Sequence, residues 1–217
     1  MAERTFYDTV LVPGNALPSQ IWWPTLHQII IEAFRVKDYS VFPPTWTRLN
    51  ADPAKGAEGL AQELGMNGSL VVAFSEDGHP VACGGVLPFR GEDWIGPAGE
   101  NRGLNHTIEK FTMPAVDCSP SESFKDWEVC CFCINPSARG QGLSQQLLDA
   151  MITLIKTKGA ERLLAHYAVD ETGDFWTKMG FDVVPNADST LPKGFQVDPE
   201  KEGLKAEVHF KMAARAL

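Results

Sequence analysis

The sequence predicts a single α/β domain, with mixed helices and strands arranged around one sheet, and three observations lead there. The chain has 217 residues, 44% of them hydrophobic and 22% charged. That is enough apolar material for one large core, at a length where one domain is the default. Short apolar, partly β-branched runs are interspersed with stretches whose apolar residues recur at helical spacing, the pattern of strands and helices sharing a sheet. No internal repeat divides the chain, so residues 1–217 are read as one unit.

Residues 3–12 read as a first strand. Pro24 suits the first turn of a helix, after which Leu26, Ile29, Ile30, Ala33 and Phe34 fall on one face. Residues 37–50, with Pro43-Pro44 and several aromatics, form a loop. Asp52-Pro53 supplies an N-cap and first turn, and Gly65 a stop, for a second helix. A hairpin follows, Ser69–Ser75 and Pro80–Leu87 around the turn Glu76-Asp77-Gly78. Residues 88–126 have no sustained period, and a loop of that length is commonly functional or mobile. Trp127–Ile134 is apolar apart from Glu128 and reads as a buried central strand.

Residues 142–158 then form an amphipathic helix with Leu143, Leu147, Met151, Leu154 and Ile155 on one stripe. Lys156 and Lys158 favour its C-terminal dipole, and Gly159 ends it. Arg162–Val169 is a strand, Gly173–Met179 a short helix and Phe181–Val184 a strand. Residues 185–203 are Pro- and charge-rich loop, and Leu204–Met212 alternates as a terminal strand.

Composition narrows the function. The net charge is −9 and no dense Lys/Arg run occurs, which argues against binding a nucleic-acid backbone and is compatible with an amine substrate. The five cysteines are odd in number, and Cys130, Cys131 and Cys133 crowd one strand, unlike a secreted disulfide framework. No run approaches the ~18 apolar residues that span a bilayer, and the N-terminus lacks the apolar stretch of a signal peptide. These features predict a protein of the cytoplasm, or the nucleus, with no membrane partner.

The chemistry concentrates where the central strand runs through Asn135-Pro136-Ser137-Ala138 into Arg139-Gly140-Gln141-Gly142-Leu143-Ser144 and the long helix. Glycines let the backbone approach a ligand and turn its N–H groups outward, and the helix N-terminus aims more of them at the same point, a cradle for a pyrophosphate. A dinucleotide fingerprint is excluded because Gln145 stands where its third glycine belongs, and the Gly-Lys-Ser/Thr ending of a P-loop is missing.

The segment Arg139-x-x-Gly142-x-Ser144 resembles the R/Q-x-x-G-x-G/A acyl-CoA motif of the GNAT superfamily, serine replacing the usual last residue. Phe175-Trp176-Thr177-Lys178-Met179-Gly180-Phe181 is similar to that family's F-Y-x-K-x-G-F. The resemblance is specific over residues 127–184, architectural over 1–87, and silent about the inserts at 88–126 and 185–203. It implies a GNAT-type domain, a central mixed sheet flanked by helices, whose central strand splays from its neighbour.

It implies further that backbone groups of Phe132 and Ile134 hold the pantetheine arm of acetyl-CoA. The N–H groups of Arg139, Gly140, Gln141, Gly142, Leu143 and Ser144 would hold its pyrophosphate, with Trp176 beside them. The Phe132 N–H would polarise the thioester carbonyl. Glu128, the only charge in its strand, matches the catalytic glutamate of one branch of the family, and burial would raise its pKa toward the task of deprotonating an ammonium group. Its alternative role is a carboxylate paired with Arg or Lys.

Many family members protonate the leaving thiolate with the tyrosine of the second motif. Trp176 occupies that position here, and an indole N–H is no acid near neutral pH. Tyr167 on the preceding strand is the candidate substitute, with a packed strand aromatic as its other reading. The cysteines read as core, since neighbouring strand residues alternate faces and no His lies at ligand spacing, so no metal is expected. His166 faces away from Tyr167. Trp22, Trp23 and Trp46 fall near the expected acceptor pocket.

The function implied is transfer of an acetyl group from the co-substrate acetyl-CoA to a primary amine of a small molecule or protein, by direct attack in a ternary complex, in a monomer or homodimer. The alternative is a non-catalytic acyl-CoA-binding sensor or regulatory module.

Overall fold

The computed structural model describes residues 7–90, 124–196 and 202–217. Along the chain its strands are β1 (Asp8–Pro13), β2 (Ser69–Phe74), β3 (Pro80–Pro88), β4 (Asp126–Ile134), β5 (Arg162–Ala168), β6 (Asp182–Val183), β7 (Ser189–Leu191) and β8 (Val208–Ala216). Its α-helices are α1 (Trp23–Arg35), α2 (Pro53–Leu64), α3 (Leu143–Thr157), α4 (Val169–Thr172) and α5 (Phe175–Lys178). All eight strands join one sheet in the order β1-β2-β3-β4-β5-β8-β6, with β7 paired to β8. Among the described residues only β4 and β5 run parallel, and every other pair is antiparallel. The mixed sheet expected from the sequence is therefore present.

Strand alternation separates the two cores. Val71, Ala73, Ala82 and Val86 face α3, whose Leu143, Leu147, Leu148, Met151 and Ile155 are buried there. Leu70, Val72, Cys83 and Leu87 face the other way, onto Leu26, Ile29 and Ile30 of α1 and Leu60 and Leu64 of α2. Each fully buried Val, Leu, Ile or Met among them contributes about 1.5–3 kcal/mol, so the sheet is clamped from both sides.

Local signals explain the boundaries. Pro24 lies in the first turn of α1, and the Asp52 side chain accepts from the Lys55 amide at 3.0 Å to cap α2. Gly65 leaves α2 with φ +62°, and Gly78 turns the β2–β3 hairpin with φ +75°.

Two expectations need correction, and two fall partly outside the described residues. The short helix expected over 173–179 is present as α5, and one further turn, α4, precedes it and ends at Gly173 with φ +56°. The predicted 185–203 loop contains β7, which pairs through Ser189–Leu191 with β8. The last strand begins at Val208 rather than Leu204. The Leu204 amide donates to the Phe195 carbonyl and the Lys205 amide to the Val41 carbonyl, so residues 204 and 205 close a third apolar cluster with Phe42 and Phe195 before the chain enters the sheet. Most of the 88–126 insert, at residues 91–123, lies outside the described residues, as does the start of the strand predicted at 3–12.

Candidate active site

The site begins where β4 leaves β5. The two strands pair only at Asp126↔Arg162, Trp127↔Leu163 and Glu128↔Leu164, and beyond Glu128 the register ends. On its other side β4 carries a bulge: Cys133 pairs with Cys83 and Cys130 with Gly85, leaving Cys131 and Phe132 opposite Gly84 alone. Cys131 absorbs the extra residue with φ +46°. Gly84 is required there, because a Cβ would stand 2.7 Å from the Met151 sulfur and 2.9 Å from the Phe132 ring. Cys131 and Phe132 thus have no register partner on either flank, and the splay that the resemblance implied is present.

The bulge also changes one premise of the cysteine reading, the alternation of faces, while the four described cysteines are core as expected. Because alternation is broken at Cys131, Cys130, Cys131 and Cys133 pack together on the α1/α2 side with Cys83. The Cys83 thiol donates to the Cys131 carbonyl at 3.4 Å and lies 3.6 Å from the Cys133 sulfur. Phe132 turns to the opposite side, onto Phe175 and Trp176 at centroid distances of 5.8 and 5.7 Å.

Past β4, the Asn135 carboxamide accepts from the Ser137 amide and hydroxyl at 3.1 and 2.9 Å, fixing a 3-10 turn over Pro136–Ala138. Gly140 and Gly142 both adopt φ +79°, and Gly142 is the N-cap of α3. The backbone N–H groups of Gly140, Gln141 and Gly142 donate to nothing among the described residues. Those of Leu143 and Ser144, at the start of α3, likewise donate to nothing among the described residues, whereas Gln145 and Gln146 donate to the Gly142 carbonyl at 3.1 and 3.2 Å. Together these N–H groups lie unengaged at the turn where the sequence placed an anion cradle. Arg139 Nε donates to the Ile134 carbonyl at 3.4 Å, tying the cradle to the end of β4. Tyr7 steadies it from the other side, its hydroxyl donating to the Gln141 carboxamide while its backbone bonds Gln146.

A cleft of about 1200 Å³ runs from this cradle along the fork to α1 and α2. Phe132, Ile134, Arg139, Ser144, Tyr167 and Trp176 line it. Gly140, Gln141 and Gly142 stand between Arg139 and Ser144, whereas the Leu143 side chain is buried as an anchor of α3. Trp176 is held by Phe181 as well as Phe132 and is only 7% exposed. Trp23 is fixed in the core, its indole donating to the Pro53 carbonyl at 2.7 Å, and Trp46 donates to the Glu202 carbonyl. Neither lines the cleft.

Glu128 is 1% exposed at the branch point of the fork, and it lies behind the cleft wall rather than on it. Its carboxylate binds the Arg90 guanidinium through Oε1 and the Arg90 amide through Oε2 at 3.2 Å. Arg90 continues to Glu63 at 3.5 Å, and Glu63 to Arg48 at 2.5 Å. Arg48, Glu63 and Arg90 line the cleft. Burial pushes the Glu128 carboxyl above the usual range, outweighing the pull of Arg90. At Glu63 burial acts the same way, but Arg48 and Arg90 outweigh it and hold the carboxyl below that range. His166, stacked on Phe89, is lowered to about 4 by burial and by the positive Arg90. Tyr167 is raised by burial and by Asp188.

The sequence reading had no place for Arg48, Glu63 or Arg90. One signal was available: an acid inside an apolar strand needs a cation, and Arg90 follows the residues of β3 that pair with Trp127 and Glu128.

A sequence model of the acetyltransferase (GNAT) family matches residues 23–181. A search of curated proteins returned no matching sequence. Among solved structures, yncA of Salmonella typhimurium, determined with its cofactor acetyl-CoA, aligns at 12% identity over 98% of this chain and 95% of its own, with a TM-score of 0.54. The ribosomal-protein-alanine N-acetyltransferase of Brucella melitensis aligns at 16% identity over 97% and 99%, with a TM-score of 0.55. At such identities these likenesses speak for the fold, which is the one built above. With the forked β4, the glycine cradle before α3 and a family match over most of its length, the chain belongs to the GNAT family of acetyltransferases, acyl-CoA N-acyltransferases.

Proposed function

We propose that the protein transfers an acetyl group from acetyl-CoA to a primary amine of a small molecule or a protein, by direct attack in a ternary complex. The observation that carries this reading is the fork after Glu128, with its free strand edge, a glycine cradle at one end and a buried acid at its branch point. Acetyl-CoA bound there supplies the thioester that the amine attacks. Residues 139–144 would hold its pyrophosphate through main-chain N–H groups, with Tyr7 keeping Gln141 in position. Ile134 and Phe132 would line the pantetheine arm, and the Phe132 N–H would face the negative charge that develops on the thioester oxygen.

Glu128 would take the proton of the attacking ammonium through water, since its carboxylate lies behind the cleft wall. Its raised pKa supports this role, because a stronger base accepts the proton more readily. Arg90 would act as its counter-ion and keep the carboxylate oriented. Tyr167 lines the cleft with its phenol held in the protonated form, the form that can donate to the departing thiolate. The free, buried thiols of Cys83, Cys130, Cys131 and Cys133 fit a reducing compartment, cytoplasm or nucleus.

The competing reading, a non-catalytic acyl-CoA-binding module, draws on one observation: Trp176 stands where the family motif carries its acid. CoA release from acetyl-CoA, measured across a panel of small amines and lysine peptides, separates the two. Turnover with at least one amine is expected. Micromolar acetyl-CoA binding with no turnover on any amine would leave the binding module.

A further inference from the structure

The four described cysteines are free and buried, and two of them are register partners across β3 and β4. Cys83 pairs with Cys133 at the edge of the bulge, and their sulfurs lie 3.6 Å apart. Directly opposed residues of an antiparallel pair stand about 4.5 or 5.5 Å apart at Cα, and a disulfide spans either separation. The Cys83 thiol is also held from β4, since it donates to the Cys131 carbonyl at 3.4 Å. Cys130 has no sulfur opposite it, because its register partner is Gly85.

The two partners differ in access. Cys133 borders the cleft, where small molecules enter, whereas Cys83 does not line it and is wholly buried. The hydrogen bonds of Cys83 with Cys131 and Cys133, together with burial, push its thiol well above the ordinary value, so it keeps its proton. Core packing asks only that a cysteine be buried. Here one residue stands at the cleft wall and its partner waits in contact behind it.

We propose that Cys83 and Cys133 are an oxidation site for hydroperoxides, joined as a cross-strand disulfide that loosens the acetyl-CoA site. The Cys133 sulfur attacks the terminal oxygen of the hydroperoxide. An S–O bond forms as the O–O bond breaks, and the thiol proton leaves with the departing oxygen as an alcohol, or as water from hydrogen peroxide. The Cys83 sulfur then attacks the sulfenic sulfur. The S–S bond forms as the S–O bond breaks, and the Cys83 proton leaves with hydroxide as water. The two thiols lose two electrons and two protons in all, and the hydroperoxide is reduced. Bonding draws the sulfurs from 3.6 Å to about 2.05 Å, which pulls Cys133 toward β3 and away from β5. Its neighbours Phe132 and Ile134 would line the pantetheine arm, so the fork widens where that arm would lie. The bond itself is independent of the acyltransfer reading; its effect on acetyl-CoA rests on that reading.

The test treats the whole protein with hydrogen peroxide, then reads its mass, its cross-linked peptides and its acetyl-CoA affinity before and after reduction by a dithiol. Wild type should become lighter by two hydrogens, and fragment spectra should place the link between Cys83 and Cys133. The acetyl-CoA Kd should rise about threefold or more and return on reduction. Cys133→Ser and Cys83→Ala should each lack the link, and Cys131→Ser should still form it. Cys133→Ser decides the matter should Cys83→Ala fold poorly, since its own melting curve reports whether it is folded. A link from either residue to a different cysteine, or two thiols still open to alkylation after peroxide, overturns the inference. So does a formed link with unchanged acetyl-CoA affinity. If the reduced protein binds no acetyl-CoA at all, the acyltransfer reading falls, and the presence or absence of the link alone decides the oxidation site.

Discussion

The two ends of the cleft are built from different material. At the CoA end the working groups are main-chain: the N–H groups of Gly140, Gln141 and Gly142, the first turn of α3, and the bulged edge of β4. At the acceptor end they are side chains: Arg48, Glu63, Arg90 and Glu128, joined in one chain of ion pairs and drawn from four separate segments. A backbone cradle tolerates change in most side chains but demands glycine where φ is positive. An ion-pair chain tolerates backbone variation but fails when one member is neutralised, because its partner is then buried uncompensated. Under the proposed function, the first end would hold the co-substrate and the second would choose the acceptor.

The largest expected effect falls on catalysis at the side-chain end. Glu128→Gln keeps the shape of the carboxylate and leaves Arg90 its bond to Glu63. It should lower kcat by ~10²–10⁴-fold with acetyl-CoA affinity intact, the usual contribution of a general base. Activity should recover partly at high pH, where free amine is available unaided. Wild-type kcat at neutral pH would make Glu128 purely the partner of Arg90, and would end the acid–base reading of the fork.

Next is stability at the same end. Arg90→Met leaves Glu128 inside the protein without its cation, and removing one member of a buried pair costs about 3–5 kcal/mol. The double variant Arg90→Met/Glu128→Leu should regain most of that loss, because an apolar pair avoids burying charge at all. Urea midpoints of the single and double variants measure both steps. If the single variant unfolds at the wild-type midpoint, the ion-pair chain is decoration.

The CoA end should respond in the opposite manner, in affinity rather than stability. Gly142→Asp puts a side chain and a negative charge beside the cradle, at a φ of +79° that disfavours any L side chain. Acetyl-CoA affinity should fall about tenfold or more, or about 1.4 kcal/mol per decade. The turn is exposed and a Cβ there meets nothing, so stability should change by about 1 kcal/mol or less. Calorimetry giving an unchanged Kd would remove the cradle from the binding site.

The same contrast decides what could be read from the sequence. Gly140 and Gly142 were legible because a backbone site writes its geometry into residue type and spacing. The stripe of α3 and the hairpin turn at Gly78 were legible for the same reason, period and φ being local properties. Arg48, Glu63 and Arg90 were not, because each is an ordinary surface-type residue until the fold links it into the ion-pair chain that ends at Glu128. The cysteines are core as expected, but the facing of Cys131 was misassigned, because strand alternation assumes no bulge and nothing in the run Cys130-Cys131-Phe132-Cys133 announces one. Gly84 and Gly85 on the neighbouring strand were the available hint, since strand glycines often mark a bulge or a close approach. The terminal strand was misplaced because Leu204 is apolar for a loop cluster, not for the sheet.

The smallest expected effect concerns His166, on the side-chain end beside Arg90. Its value in the folded protein is about 4, below the ordinary 6.5, so folding favours the neutral ring. Between these values the unfolded chain binds the proton and the folded one resists it, and stability therefore rises with pH across that window. The contribution is complete above pH 6.5 and is lost as pH falls toward 4. Its size is about 1–3 kcal/mol at most, since each tenfold change in proton affinity corresponds to about 1.36 kcal/mol and the ring is not fully removed from solvent. His166→Asn cannot take up that proton, so its unfolding free energy should fall less steeply than the wild type's between pH 6.5 and 4. Arg90→Met should flatten the wild-type slope in part, because Arg90 is one of the two causes holding the ring neutral. Parallel pH profiles for wild type and His166→Asn would place the ring in water, and would separate His166 from the charged end of the cleft.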